Sequence, residues 1–352
     1  MAVKGRVVEF KFVKRPESDR TQVPIGVLPS LLVGFDRVAA RPLLLLPPIL
    51  LDLILWLGPR LWIARLASQA SGAIVLPPGA DPTFVEQTQA LREALTDFGA
   101  RFNVLAALSS LPVGIPSLMS GRMPLGTPLG EPQGMQLPTL LALLAAALAF
   151  TFLGLAMGSQ YHIWAARQVA PQAEVARLAP AWGRVAALSL GVYLGVLGLL
   201  AATGLAATLA AWLAPWLGLL MIFMALSLVF WVAVYLMFTP HGIIRYRLGV
   251  LRSIVESVQV VRWNLVGTAT FLAIAFGVTW LTGWVWSLPA ENSWYLLLAV
   301  VGHAFVSATL LIGSYAFYQS RREWTLQVPQ HLAALQAGGK TAPRPGSEGR
   351  GG

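Results

Sequence analysis

The sequence has no cysteine. That excludes disulfides, thiolate metal sites and cysteine nucleophiles together. Charge is also scarce: Asp, Glu, Lys and Arg make up 11% of the chain, against about 25% in a soluble domain. A chain of 352 residues this poor in charge cannot clothe a globule in polar side chains, so most of its surface is expected to face lipid. Reaction motifs are missing as well. There is no HExxH, no P-loop, no dinucleotide glycine fingerprint and no GxSxG. No two carboxylates share an apolar block. His162, His241, His303 and His331 have no acidic or histidine partner at metal-ligand spacing. The expectation is a non-enzymatic protein with no catalytic residues, no cofactor and no metal.

What the chain has is apolar blocks of membrane-spanning length, as expected for an all-α polytopic membrane protein. Residues 1–24 form a basic segment, assigned to the cytoplasm. Val8, Phe10 and Phe12 alternate with Glu9 and Lys11, the pattern of a short strand, and a disordered tail fits equally. The layout predicts no cleavable signal peptide. Residues 29–40 read as an amphipathic interfacial helix. The first span is placed at Pro42–Pro59, interrupted by Pro47 and Pro48. Residues 60–136 form an extracytoplasmic helix-and-loop insert. Within it, Asp81-Pro82 starts a helix of about 20 residues, with Phe84, Leu91, Leu95, Phe98, Phe102 and Leu105 on one stripe. Residues 102–121 carry no charge, but Pro112, Gly114 and Pro116 break them into an interfacial or re-entrant loop. Five further spans follow, at about 137–157, 186–210, 217–238, 265–287 and 295–317. The membrane domain covers residues 25–318, and residues 319–352 read as a disordered cytoplasmic tail.

Charge sets the expected orientation. With six spans and both termini inside, twenty Lys and Arg lie on the inner side and five on the outer, a strong positive-inside bias. That placement explains the net charge of +10 by orientation and not by nucleic acid. Two inner loops share a plan of amphipathic helix, then Trp182 or Trp263, then a span pair. A duplicated unit, or membrane constraints alone, would produce this. In the second loop Leu251, Ile254, Val255, Val258 and Val261 form the apolar face, with Arg252, Glu256, Gln259 and Arg262 opposite.

Three sets of residues stand out. Asp52 and His303 are ionisable groups deep in spans, where a lone charge is costly. Their expected depths match, so they are read as a candidate buried pair if the first and last spans touch. Arg245, Arg247, Arg252 and Arg262 are candidate contacts for anionic lipid. Gly154 with Gly158, and Gly191 with Gly195, are helix-packing glycines of the GxxxG type. They serve packing within the chain, or contact with a second copy or another membrane protein.

From the fourth span onward the sequence resembles a known membrane domain. Thr239-Pro240 ends a span, and an amphipathic helix closes with Ser257-Val258-Gln259-Val260-Val261-Arg262-Trp263-Asn264. The last span ends near Tyr315, Phe317 and Tyr318, before Arg321 and Arg322. Residues 137–322 are similar to the membrane domain of bacterial glycerophosphodiester phosphodiesterases, which also occurs alone in uncharacterised bacterial membrane proteins. Ser257, Val260, Val261 and Asn264 match the family pattern, and Val258 stands where the family has Trp. The resemblance implies a lipid-related accessory role and no catalytic residues, because the family's phosphodiesterase site lies in a separate barrel domain. The reading is therefore a bacterial inner-membrane protein that organises lipid or a protein partner. A transporter or channel component and an intramembrane lipid-modifying enzyme are the alternatives.

Overall fold

The computed structural model describes residues 24–79, 81–171 and 174–339, the last twelve of these as backbone only. The strand expected around Val8–Phe12 lies outside them. The protein is an all-α membrane protein. Five stretches are long and apolar enough to cross a membrane: α6 (Leu140–Ala166), α7 (Leu178–Leu213), α8 (Pro215–Leu236) continuing into α9 (Thr239–Tyr246), α11 (Leu265–Ser287) and α12 (Leu296–Gly339). α6, α7, α8 and α11 are apolar around most of their circumference, the pattern of a helix with lipid on most sides, and α12 is the most buried of the five stretches. Pro215 starts α8 directly after Ala214, where its missing N–H leaves nothing unsatisfied.

The first expected span takes another form. The chain makes α1 (Val27–Ala40), a 3-10 turn over Pro42–Leu45 and α2 (Leu46–Leu57), and the two arms meet at 101°. Twelve residues of α2 measure about 18 Å, short of the ~30 Å hydrocarbon core. A sixth crossing exists only if the bent pair counts as one. Nor does α1 lie free in the interface. Gly34 sits against the backbone of Thr309 and Gly313, where any Cβ would overlap, and Phe35 meets Phe305 edge-on. Glycine at that position lets α1 approach α12 closely. At its far end α12 continues through residues 319–339, where a disordered tail was expected.

The insert begins with β1 (Arg60–Trp62), paired in parallel with β2 (Gly134–Gln136). Between them lie α3 (Ala64–Ala73), α4 (Pro82–Arg101), a 3-10 turn at Val104–Ser109 and α5 (Leu118–Arg122). Asp81 caps α4 by accepting from the Thr83 N–H. The face of α4 that packs on α3 runs through Thr88 and Gly99, beside Ala67. Phe84, Leu91 and Phe98 of the apolar stripe stay exposed. Arg60 is buried and donates to the Leu125 carbonyl, and burial pulls its guanidinium below the usual arginine value.

Residues 104–119 re-enter the bundle. Val104, Val113, Ile115 and Met119 are fully buried. Val113 packs with Leu155, Ala308 and Ile312, and Met119 packs with Leu51, Trp56 and Tyr161. Gly154 faces the backbone of Leu108, and Gly158 faces the carbonyl of Val113. Gly158 lies 18 residues past the start of α6, about 27 Å along the axis. Irregular backbone at such depth is tolerated only where protein encloses it, and α2, α6 and α12 do so here.

The two inner loops do not share a plan. The described residues of the first loop, 167–171 and 174–177, form no α-helix, and Pro180 lies in the first turn of α7, where its missing N–H is tolerated. The second loop holds α10 (Val250–Trp263). Its protein-facing side is Ser253, Glu256, Ser257, Val260 and Val261, and not the full apolar face. Leu251, Val255 and Val258 point away from the protein.

Candidate functional site

Pro240 has no N–H, so the run from α8 into α9 cannot continue its hydrogen-bond ladder. Two serines of α10 supply partners. Ser257 Oγ donates to the Tyr235 carbonyl and accepts from the Phe238 N–H, and Ser253 Oγ donates to the Thr239 carbonyl. Asn264 ties the α10–α11 joint to α12: its Nδ2 donates to the Val260 carbonyl and to Thr325 Oγ1. Ser257 and Asn264, two of the four residues on which the resemblance was drawn, thus act as structural ties.

Asp52 is wholly buried in α2. Its carboxylate accepts from Ser117 Oγ at 2.5 Å, the Met119 N–H at 2.9 Å and the Leu118 N–H at 3.2 Å. It therefore satisfies the start of α5, which would otherwise carry orphan donors into the bundle. His303 Nδ1 lies 4.0 Å from Asp52 Oδ2. That contact is longer than a hydrogen bond, and the imidazole also meets Ser307 Oγ at 3.3 Å through Nε2. The structure thus brings Asp52 and His303 together, while the hydrogen bonds of the acid go to the re-entrant segment.

Sequence spacing missed a second polar group, because its members lie on three elements. His162 Nδ1 of α6 is 3.1 Å from Tyr315 OH, and His241 Nε2 of α9 is 2.8 Å from Ser314 Oγ. The rings of His241 and Tyr315 are 4.3 Å apart. Nearer the α10 end, Glu256 accepts from Arg322 at 2.7 Å and from Arg252 at 3.2 Å. Arg322 lies over the Tyr246 ring. His303, Ser307, Ser314, Tyr315, Tyr318 and Arg322 recur along α12 at helical spacing. That periodicity was the available signal. Ala308 and Ile312 interrupt the stripe, and both are buried in the apolar core.

The four candidate lipid-contact arginines divide. Arg245 is buried, with an ion pair to Glu174 at 2.9 Å, so a headgroup cannot reach it as a free cation. Arg247 donates to the Val175 carbonyl through Nε and Nη2. Arg252 and Arg262 are exposed. The glycines divide too. Gly154 and Gly158 are packed against the re-entrant segment, while Gly191 and Gly195 on α7 have none of the described residues within 4 Å of where a Cβ would be. Among the described residues, no three His, Asp or Glu converge as metal ligands. The sequence matches no family model, no curated protein and no solved structure.

Proposed function

We propose that this chain is a non-enzymatic protein of the bacterial inner membrane, with both termini in the cytoplasm, that organises anionic lipid at the inner face. The observation that carries the reading is the orientation of α10. Its serine face is stitched to the break between α8 and α9, and Leu251, Val255 and Val258 look outward beside the exposed Arg262. An apolar face turned away from the protein and edged with cations suits the headgroup boundary of an anionic leaflet. The positive-inside bias and the likeness of residues 137–322 to a lipid-related membrane domain support the same reading. Membrane proteins offer further partners. The test is native mass spectrometry from nanodiscs of equimolar phosphatidylcholine and phosphatidylglycerol. Enrichment of phosphatidylglycerol is expected, and retained lipids that mirror the bulk mixture would refute the reading.

The polar stripe of α12 favours a second reading, a transporter or channel component. Buried groups at two depths could relay a proton or ion, but the apolar stretch at Ala308 and Ile312 separates them. Ion flux in proteoliposomes above that of empty vesicles, abolished by His241→Ala, would favour transport.

A further inference from the structure

Two arginines on different elements line one cavity where α10, α11 and α12 meet. Arg262 closes α10, Arg321 reaches across from α12, and the cavity of about 590 Å³ between them is also lined by Trp263, Asn264, Gly267 and Trp324. Neither guanidinium has a carboxylate partner among the described residues. Arg321 does not lie slack on the surface. Its guanidinium rests over Gly267 at about 3.3 Å from where a Cβ would be, stacks on the Phe317 ring, and is steadied by the Asn264 side chain and the Ile25 carbonyl. Gly267 leaves the room in which that guanidinium sits. The first turn of α11 forms one wall, and Asn264 makes no side-chain cap to it, so its N–H groups add to a cation-rich lining. Trp263 and Trp324 are the side chains suited to the depth of lipid headgroups.

We infer that this cavity binds a phosphate-bearing anion, carried on a phospholipid headgroup or on a small soluble phosphate ester. Arginine forks match phosphate oxygens in pairs. A tetrahedral phosphate between Arg262 and Arg321 would present oxygens to both guanidinium forks where α10, α11 and α12 meet. The lipid-borne case rests on the lipid-organising role proposed above.

The test uses the full chain in two settings. In nanodiscs of equimolar phosphatidylcholine and phosphatidylglycerol, native mass spectrometry counts retained phosphatidylglycerol. In nanodiscs of phosphatidylcholine alone, glycerol phosphate is titrated from the water. Binding in the first setting identifies a lipid source, and binding in the second a soluble one. In the first setting the double variant Arg262→Gln, Arg321→Gln should bind about 30-fold more weakly, as two cationic contacts at an anionic surface require. Arg262→Gln alone changes an exposed side chain, leaves folding untouched and should weaken binding about fivefold. Arg65→Gln, at an exposed arginine of α3 outside the cavity, should leave binding unchanged. Phosphatidylglycerol retained equally by wild type and Arg262→Gln, with no arginine-dependent binding of glycerol phosphate, would overturn the site and leave the broader role standing. Lipid retention with no preference for phosphatidylglycerol, together with arginine-dependent binding of glycerol phosphate, would overturn that role and keep the site. No binding in either setting overturns both.

Discussion

The two GxxxG pairs of this protein have opposite surroundings. On α6, Gly154 and Gly158 touch the backbone of Leu108 and Val113, and any side chain there would overlap it. On α7, Gly191 and Gly195 meet none of the described residues within 4 Å. The same device is buried on one helix and open on the other. What differs is the partner: α6 has a re-entrant segment of its own chain to receive, and α7 has α8 on one side and none of the described residues against its glycines. Close helix approach in lipid depends on small residues because no hydrophobic drive separates helix from acyl chain. A glycine motif thus marks permission for close contact, and the rest of the fold decides whether contact occurs.

The comparison can be broken most forcefully at α6. Gly158→Leu forces a side chain into the Val113 carbonyl, and a loss of more than about 3 kcal/mol of stability is expected, beyond ordinary overpacking. Denaturation of the purified protein in bicelles measures it. Removing the anchor of the same segment comes next. Asp52→Leu strands the N–H groups of Leu118 and Met119, for an expected loss of about 3 kcal/mol. Asp52→Asn should lose about half of that, since the amide oxygen still accepts. Equal losses for the two variants would mean that the carboxylate bonds do not hold the segment.

How much of this was readable in advance varies with sequence distance. The start of α4 at Asp81-Pro82, the extent of α10 and the start of α11 followed from local patterns that tertiary contacts left intact. The bend between α1 and α2 did not, because Gly34 fits against α12 only through residues about 280 positions away. Depth arithmetic placed Asp52 beside His303. It could not reveal that Ser117, Leu118 and Met119 would take up the acid's lone pairs, since those donors open α5, a helix of five residues too short to leave a periodic pattern. The exposed apolar stripe of α4 has the same origin: Thr88 and Gly99 win the contact with α3 because small side chains allow close approach.

Smaller effects sharpen the comparison. Glu256→Gln leaves Arg322 without its anion in a largely buried setting, for an expected loss of about 2 kcal/mol. It should also loosen α10 from α12, read as faster amide exchange across Ser253–Val261. Gly195→Leu should stay within about 0.5 kcal/mol of wild type, because no neighbour resists the added side chain. A large loss there would mean that α7 is packed as tightly as α6.

The central claim is that residues 104–119 lie inside the bundle against α6, and the absence of cysteine from the sequence allows a direct measurement. Ser110 Oγ and Thr151 Oγ1 are 3.5 Å apart. The double variant Ser110→Cys, Thr151→Cys, oxidised in native membranes, should lose both free thiols to an internal disulfide. A control pair, Ser110→Cys with Thr270→Cys on the exposed face of α11, should keep them. Two free thiols in the first pair after oxidation, or equal cross-linking in both, would place the segment outside the bundle and contradict the account.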